Sequence, residues 1–412
     1  MQNRITAIDT LRGFALLGIL LMNITSFSMP IEAYYNPNVY GGQNLWNQMV
    51  FGLMYVLADQ KFMALFSMLF GASMLLLIQK LEQKGQPPAR VHYTRNGWLL
   101  LFGILHMVFL WEGDILLVYA LCSFVLFFFR RMPARGQLVA GLLVFFSPVV
   151  LNLQSQQTLQ TFTPTEMQKL EQLWNPPASK IQQDIRAFQG TYGQQLSRRL
   201  TLDASSSPSR AEDLFGLLVL TDGFARAFGM MLVGMALYNW GIITGKASRR
   251  VYLNMAGWGL GIGLPLSLVA LFLQHLNDWE VTYSLFTAKT ISQVYTPLMA
   301  CGYLGVVMLW IQSGLWSRLQ NRLALVGQMA LSNYIGQSVL ANLIFYGLDL
   351  FGQVNRLQQL GMVLLIWVFQ IQFSGFWMQR FQHGPLEWLW RTLTYRKRAP
   401  LVRSSNTRAT EG

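Results

Sequence analysis

A histidine lies inside an apolar stretch of the sequence, and a carboxylate follows it closely. His106 falls in the run LLLFGILHMVFLW, and Asp114 comes eight residues later, about 12 Å along a regular helix. Ionisable side chains in such runs are costly and usually functional. Neutral imidazole is a general base near pH 7 when a hydrogen-bond partner fixes its tautomer. We therefore predict that His106 is a base oriented by Asp114 or by Asp59, with a purely structural histidine as the alternative.

A second set of polar residues opens the first apolar run. Asp9 and Arg12 are three positions apart and share a helix face, and Asn23 lies on that face three turns further on. The pattern predicts that Arg12 meets an anionic ligand and that Asn23 donates to a developing oxyanion. An ion pair at the membrane boundary with one interhelical hydrogen bond is the alternative.

Four further polar residues are candidates for substrate binding. Asp59 stands at the mouth of the second apolar run, and Tyr119 lies about one turn beyond Asp114. Asn333 and Gln337 share one face of the run LALVGQMALSNYIGQSVLANLIF, where lipid cannot satisfy their amides. These side chains either line a cavity or pair locally with neighbouring helices.

These residues need a bundle of membrane helices to bring them together. Hydrophobic residues make up 53% of the 412 positions and charged residues 12%, a composition outside the soluble range. Several apolar runs approach the ~20 residues that span hydrocarbon. We predict an all-α, polytopic integral membrane protein with about ten transmembrane helices, at residues 11–29, 62–78, 96–111, 115–129, 136–153, 219–240, 251–273, 291–312, 323–346 and 358–378.

Basic residues are distributed unevenly between the predicted loops. With the N-terminus inside, the inner loops and the tail hold twenty-one Lys and Arg, and the short outer loops hold three. Because Lys and Arg concentrate on the cytoplasmic side, both termini are predicted to be cytoplasmic. The net charge of +13 therefore reports membrane orientation. It predicts contact with membrane lipids and no nucleic-acid partner.

The chain reads as one domain. We predict that residues 1–398 form a single transmembrane helical domain. Within it, residues 154–213 are rich in Gln, Ser and Pro and are predicted to form an external loop with short amphipathic helices. Residues 399–412 are predicted to form a disordered cytoplasmic tail.

There is no GxxxxGK[ST], HExxH or GxSxG motif and no Cys/His cluster in the sequence. These absences argue against ATPase, zinc protease and serine hydrolase chemistry. No metal site is predicted.

Five motifs, in order, resemble the YeiB-like family of bacterial inner-membrane proteins over nearly the full length: RITAIDTLRGFALLGILLMNITSF, LFSMLFGAS, LHMVFLWEGDILLVYA, GQMALSNY and RFQHGPLEWLWRTLTY. More remotely the chain is similar to the transmembrane acyltransferases, including heparan-glucosaminide N-acetyltransferase. That resemblance implies Asp9, Arg12 and Gly13 at the start of the site and Asn23 within it. The reactive histidine of that relative is replaced here by Tyr34, which leaves His106 as the only histidine inside a predicted span.

The resemblance implies acyl transfer. An acyl group would pass from cytoplasmic acyl-CoA, with acetyl-CoA the expected co-substrate, to a hydroxyl or amine of a small-molecule, lipid-linked or glycan acceptor. His106 would act as the base and Asn23 would stabilise the intermediate. The alternative is a transporter or exporter with His106 and Asp114 as a proton relay. Either function predicts a multi-pass protein of the bacterial inner membrane, with a homodimer as a candidate assembly.

Overall fold

The computed structural model describes residues 6–200 and 209–402, and this part of the chain is all-α. Its α-helices are α1 (Thr6–Ser28), α2 (Glu32–Tyr35), α3 (Leu45–Leu57), α4 (Lys61–Gln83), α5 (Pro88–Phe109), α6 (Leu116–Leu126), α7 (Ala134–Leu159), α8 (Pro164–Trp174), α9 (Ala178–Gln189), α10 (Tyr192–Leu200), α11 (Arg210–Asn239), α12 (Arg249–Leu276), α13 (Lys289–Ser313), α14 (Ser317–Gln328), α15 (Ala330–Ala341), α16 (Arg356–Arg380) and α17 (Pro385–Tyr395). The β pairing within these residues is one isolated bridge, between Phe381 and Val402.

Seven helical stretches of the described residues are long and apolar enough to cross a membrane: Thr6–Ser28, Leu45–Gln83, Ala134–Leu159, Arg210–Asn239, Arg249–Leu276, Tyr283–Ser313 and Arg356–Arg380. The outside of the bundle is apolar. Leu143, Phe272 and Leu365 are 69%, 62% and 72% exposed. Extended apolar surface of this kind faces lipid rather than water. The chain is therefore an all-α, polytopic membrane protein, as the sequence predicts.

Three of the ten predicted spans are not among these seven stretches. The span predicted at 323–346 is divided between α14, α15 and a π-helical turn, Asn342–Tyr346. The spans at 96–111 and 115–129 correspond to α5 and α6. Helices α6 and α15 are only 11 and 12 residues long. The N-terminal part of helix α5 contains the polar sequence HYTRN, which lowers the mean hydropathy of the helix. His92 and Asn96 of this sequence are buried in the protein.

Helix α1 lies at the centre of the bundle, in contact with α4, α14, α15 and α16. Its contact with α14 is very close at two glycines. A Cβ on Gly327 would lie 1.9 Å from the carbonyl oxygen of Asp9, and a Cβ on Gly13 would lie 2.0 Å from that of Leu323. Only glycine permits this approach of two helices. The contact brings the guanidinium of Arg12 to 3.3 Å from the Gly327 carbonyl oxygen.

Helices α8, α9 and α10 lie across the end of the bundle where α5 finishes. The indole of Trp174 donates to the carbonyl oxygen of Trp279 at 2.7 Å, and the hydroxyl of Tyr192 donates to the carbonyl oxygen of Phe109 at 2.9 Å. These helices form part of the predicted external loop, of which residues 201–208 lie outside the described residues. The short helices thus make a cap over one end of the bundle.

The chain that follows α17 returns to the opposite end of the bundle. The backbone N–H of Gln382 donates to Leu401 O at 2.8 Å, and the indole of Trp388 donates to Ala399 O at 2.7 Å. Residues 399–402 of the predicted tail therefore pack against the protein. The rest of that tail, 403–412, lies outside the described residues.

Candidate functional site

A basic vestibule opens at the end of the bundle where α1 begins. Its volume is about 710 Å³. Its lining includes six cationic side chains and one carboxylate: Arg12, Lys80, Lys84, Arg391, Lys397, Arg398 and Asp9. The excess of positive charge in one concave space favours binding of a multiply charged anion.

A central cavity of about 280 Å³ lies deeper in the bundle. Apolar side chains of α4 and α5, such as Phe66, Phe70 and Leu99, make up much of its wall. Arg95 lines it as well, with its guanidinium 3.5 Å from the centre of the Trp390 ring. The cavity therefore combines a mostly apolar wall with a cation held by an aromatic ring.

A distal cavity of about 230 Å³ lies at the far end of α1. Six of its lining residues carry uncharged hydrogen-bonding side chains that stand among apolar neighbours: Asn23, Ser26, Tyr34, Gln60, Trp111 and Tyr334. The three cavities thus differ in chemistry. The vestibule is cationic, the central cavity is mostly apolar with Arg95 and Glu387 in its wall, and the distal cavity is mostly apolar with only uncharged polar side chains.

The three cavities lie in series along α1. The basic vestibule and the central cavity share Arg12, Ser73 and Leu77. The central and distal cavities share three other lining residues, Ile19, Ile115 and Tyr334. On α1 the lining runs from Ile8 to Ser26, about 27 Å at 1.5 Å per residue. This length is close to the ~30 Å thickness of the hydrocarbon core of a bilayer.

Arg12 stands at the junction of the basic vestibule and the central cavity. Its guanidinium donates to Asp9 Oδ1 at 2.9 Å and to the hydroxyl of Ser73 at 2.7 Å. The Asp9–Arg12 pair predicted from the i,i+3 spacing is therefore present, and both side chains line the vestibule. With the Gly327 carbonyl as a third partner, the guanidinium is held in one position at the boundary between a cationic and an apolar space.

His92 is a cavity residue that sequence reasoning missed. It lines the central cavity, and its Nε2 lies 3.0 Å from the carbonyl oxygen of Ser123, to which it donates. The Ser123 hydroxyl lines the same cavity and is buried with no hydrogen-bond partner. His92 lies just before the predicted span at 96–111. The i,i+4 spacing of His92 and Asn96 places both polar side chains on one face of a helix, and this pattern could have identified them as cavity residues.

The structure places His106 against Asp114, as predicted, and adds a serine to the pair. His106 Nδ1 lies 2.8 Å from Asp114 Oδ1, and Nε2 lies 2.8 Å from the hydroxyl of Ser338. The second carboxylate oxygen of Asp114 accepts from the backbone N–H of Leu117 at 2.7 Å. The imidazole therefore donates from Nδ1 to the Asp114 carboxylate, and its Nε2 pairs with the Ser338 hydroxyl. The side chain of His106 is buried and lines none of the three cavities.

Asp59 and Asn23 belong to the distal end of the site. The Tyr34 hydroxyl donates to Asp59 Oδ1 at 3.1 Å, and Tyr34 and Asn23 line the distal cavity together. Tyr34 was noted from the sequence only as a departure from the acyltransferase pattern. Its contact with Asp59 depends on how α2 packs beside the start of α4, which no local spacing indicates.

Tyr119, Asn333 and Gln337 have different surroundings. Tyr119 lines the central cavity, and its hydroxyl lies 2.6 Å from that of Ser67. Asn333 donates to the Ser374 hydroxyl at 2.9 Å, and Gln337 donates to Gln370 Oε1 at 3.0 Å. The two amides therefore join α15 to α16 and line none of the three cavities. Among the described residues, no three His, Cys, Asp or Glu side chains group closely enough to hold a metal ion.

Comparison with known proteins places this arrangement in a family. Residues 237–397 match the family model described as "Protein of unknown function (DUF418)". The uncharacterized protein YeiB of Escherichia coli (strain K12) is 31% identical over 98% of this chain and 99% of its own length. The uncharacterized protein YxaH of Bacillus subtilis (strain 168) is 30% identical over 98% of this chain and 97% of its own length.

A third relative extends the same pattern. An uncharacterized 39.9 kDa protein encoded in the amylase 3′ region of Bacillus acidopullulyticus is 26% identical over 98% of this chain and 97% of its own length. Each of the three alignments covers 98% of this chain. On the identity to YeiB over nearly the whole of both chains, this protein belongs to the YeiB-like family of bacterial membrane proteins.

Proposed function

We propose that the protein transfers an acyl group from acyl-CoA across the bacterial inner membrane to an acceptor on the other side. The observation that carries this proposal is the series of three cavities along about 27 Å of α1. A donor that enters at one end reaches an acceptor at the other only through a path of about that length. The change from a cationic lining in the vestibule to mostly apolar linings, with only uncharged polar side chains in the distal cavity, follows the chemistry of such a donor and acceptor.

The basic vestibule suits the nucleotide end of acyl-CoA. That end carries a diphosphate and a ribose phosphate, and Arg and Lys bind phosphate oxygens through charge-assisted hydrogen bonds. Lys80 at the end of α4, Lys84 just after it and Arg391 of α17 line one space. Positive loops face the cytoplasm, where acyl-CoA is made. The vestibule therefore faces the cytoplasm in this proposal, and the cap faces outward.

The central cavity suits the pantetheine arm. The arm is narrow and mostly apolar with two amides, and the cavity has apolar walls with a few polar groups, among them the partnerless hydroxyl of Ser123. Arg12 at the entrance separates the phosphates from the arm. The thioester then lies near the shared wall at Ile19 and Tyr334, where the acceptor cavity begins.

His106 has a positioning role in this proposal. Its ring centre lies 5.3 Å from that of Tyr334 and 6.4 Å from that of Trp111, and both rings line the distal cavity. The imidazole is hydrogen-bonded at both nitrogens, so it supports the Tyr334 and Trp111 rings on the side away from the cavity. The role of a general base that the sequence predicts for His106 stays a prediction, and the His106→Ala measurement described in the Discussion tests it.

The test is binding of radiolabelled acetyl-CoA to purified protein in lipid nanodiscs. The double variant Lys84→Glu, Arg391→Glu reverses two charges of the basic vestibule. A charged hydrogen bond contributes about 1.5–3 kcal/mol, so we expect the Kd to rise roughly tenfold or more. The matched control is Arg249→Glu, Arg250→Glu, which reverses two exposed charges outside the vestibule and should leave the Kd unchanged. Wild-type protein that binds no acetyl-CoA overturns the proposal.

A further inference from the structure

The distal cavity has polar groups that the bundle leaves without partners. The indole N–H of Trp111 and the amide Oε1 of Gln60 are buried in its wall, and neither has a hydrogen-bond partner. Trp111 as a whole is 5% exposed. Buried polar groups are normally satisfied, so these two await a ligand. One is a donor and the other an acceptor, and a ligand that satisfies both must itself accept and donate.

The turn between α3 and α4 holds Gln60 in an unusual conformation. Its φ is 61°, in the left-handed region that favours glycine. Strain of this kind concentrates at ligand and active sites. The turn brings the Asp59 carboxylate to 3.1 Å from the Tyr34 hydroxyl and 3.4 Å from the Gln60 amide nitrogen. Gln60 therefore lies between the wall of the distal cavity and the carboxylate of Asp59.

We propose that the distal cavity binds the acyl acceptor as a compound with several hydroxyls, and that Tyr34 takes the proton of the reacting hydroxyl while it passes its own proton to Asp59. This inference rests on the acyl transfer proposed above and gives it an acceptor class and a proton path. Tyr34 is the catalytic residue, because it lines the cavity. Asp59 acts through Tyr34 and is a positioning residue.

The partnerless groups favour alcohols over amines. A hydroxyl accepts from the Trp111 N–H and donates to Gln60 Oε1, so a compound with several hydroxyls satisfies both groups. A primary amine has a pKa of about 10.4, so at neutral pH it is an ammonium with donors only. An ammonium leaves Trp111 unsatisfied and has no lone pair with which to attack. The product is therefore an ester.

The reaction balances without a further reagent. The acceptor oxygen attacks the thioester carbonyl and forms the new C–O bond as its proton moves to Tyr34 Oη and the phenol proton moves to Asp59 Oδ1. The Asn23 amide, in the same cavity wall, donates to the oxyanion. The intermediate collapses, the C–S bond breaks, and the CoA thiolate leaves. The proton returns from Asp59 through Tyr34 to the thiolate, which gives CoA thiol and the ester.

The ground state of Tyr34 agrees with this path. Burial, with the nearby Asp59 carboxylate as a further cause, raises the pKa of the Tyr34 phenol well above its ordinary value. The phenol therefore stays protonated and donates a hydrogen bond to Asp59 until the acceptor supplies another proton. A relay residue needs this property, because it must carry a proton at both the start and the end of the step.

The experiment measures transfer from radiolabelled acetyl-CoA in membrane vesicles supplied with glycerol, glucose and inositol. Wild-type protein should form a labelled product that mild alkali cleaves, as it cleaves an ester. Tyr34→Phe and Asp59→Asn should lower kcat by about 100-fold or more, the usual contribution of a general base, with the Kd for acetyl-CoA unchanged. Asp59→Glu should recover part of the loss. Trp111→Phe, which removes the N–H together with part of the aromatic ring system, should raise the KM for the acceptor more than it lowers kcat.

Tyr35→Phe is the matched control. This neighbouring tyrosine stacks on Trp174 in the cap and does not line the distal cavity, so its variant should transfer like wild type. Wild-type turnover by Tyr34→Phe, an alkali-stable product, or acetyl-CoA binding by wild type with no labelled product each overturns this inference and leaves the acyl-CoA site standing. Absence of both binding and product in wild type overturns the proposed function itself.

Discussion

The imidazole Nε2 of His106 and the hydroxyl of Ser338 lie 2.8 Å apart, although 232 residues separate them in the sequence. With Asp114 on the other ring nitrogen, the serine completes a chain of three buried polar side chains across α5, the loop that follows it, and α15. A buried polar network of this kind favours one packing arrangement only when every donor and acceptor in it has a hydrogen-bond partner. It therefore fixes α15, with Tyr334, against the end of α5.

The first prediction concerns Ser338→Ala. The variant leaves His106 Nε2 buried without a donor, and an unsatisfied buried group costs about 1–3 kcal/mol. We expect a lower thermal midpoint in detergent with acetyl-CoA binding retained. Ser147→Ala is the control, because that exposed hydroxyl bonds only to Val144 of its own helix. Equal midpoints for Ser338→Ala and the wild type would show that the serine does not hold the histidine.

The second prediction separates the two roles of His106. For a positioning residue, His106→Ala lowers the thermal midpoint, and transfer per folded molecule falls less than in Tyr34→Phe. For the general base that the sequence predicts, transfer falls by about 100-fold or more and exceeds the loss in Tyr34→Phe. Transfer and thermal unfolding measured on the same preparations decide between them.

Local spacing determined how much of the site the sequence could predict. Asp9 and Arg12 are three residues apart on one helix, and this alone brings them to 2.9 Å. His106 and Asp114 are joined by the end of a helix and a short loop, so their contact was also predictable. Hydropathy gave the membrane class, because lipid-facing helices such as α12 must be apolar over their whole length.

Contacts between distant segments were not predictable. Ser338 reaches His106 only through the packing of α15, and Tyr34 reaches Asp59 only because α2 folds beside the start of α4. The span count was also affected by breaks in helix geometry. Helices α6 and α15 are 11 and 12 residues long because a 3₁₀ turn, Phe127–Arg131, and a π-helical turn, Asn342–Tyr346, follow them. A window of hydropathy does not detect such breaks.

The third prediction concerns the contact of α1 with α14. Gly327→Ala places a Cβ 1.9 Å from the carbonyl oxygen of Asp9, and backbone atoms cannot yield as a flexible side chain does. We expect destabilisation by about 1–3 kcal/mol and weaker acetyl-CoA binding, because Arg12 moves with α1. Gly336→Ala is the control of opposite sign. Its Cβ meets nothing within 4 Å in α15, and replacing a helical glycine stabilises by about 0.5–1 kcal/mol.

The fourth prediction concerns ionic strength. If Lys84 and Arg391 hold phosphates at the mouth of the vestibule, acetyl-CoA binding weakens with salt. Raising NaCl from about 0.1 M to about 1 M shortens the Debye length from about 10 Å to about 3 Å, and the Kd should rise severalfold. In Lys84→Ala, Arg391→Ala the Kd starts higher and changes less. An identical salt slope in the variant would place the phosphates elsewhere.

The fifth prediction concerns pH and the buried Glu32 of α2. Burial raises the pKa of this carboxyl, although Lys180 and Arg198 oppose the effect, and its Oε2 has no hydrogen-bond partner. A raised carboxyl pKa means that the folded state binds the proton more tightly than the unfolded state. Stability from this group is therefore present below the unfolded pKa and is lost as the pH rises through the folded pKa. Glu32→Gln should raise the thermal midpoint at pH 7 and have little effect near pH 4.

Glu166, in helix α8 of the cap, provides the opposite case. Its carboxylate accepts from the backbone N–H of Thr163 at 2.7 Å in a capping box, and this hydrogen bond lowers its pKa. The stability it contributes is present above the unfolded pKa and is lost as the pH falls through the folded pKa. Glu166→Gln should therefore lower the thermal midpoint at pH 7 and have a diminishing effect in acid. Midpoints that shift in the same direction for both variants would contradict the assignment of Glu32 to a desolvated site. Burial, the largest cause, raises the pKa of Glu32, whereas hydrogen bonding lowers the pKa of Glu166.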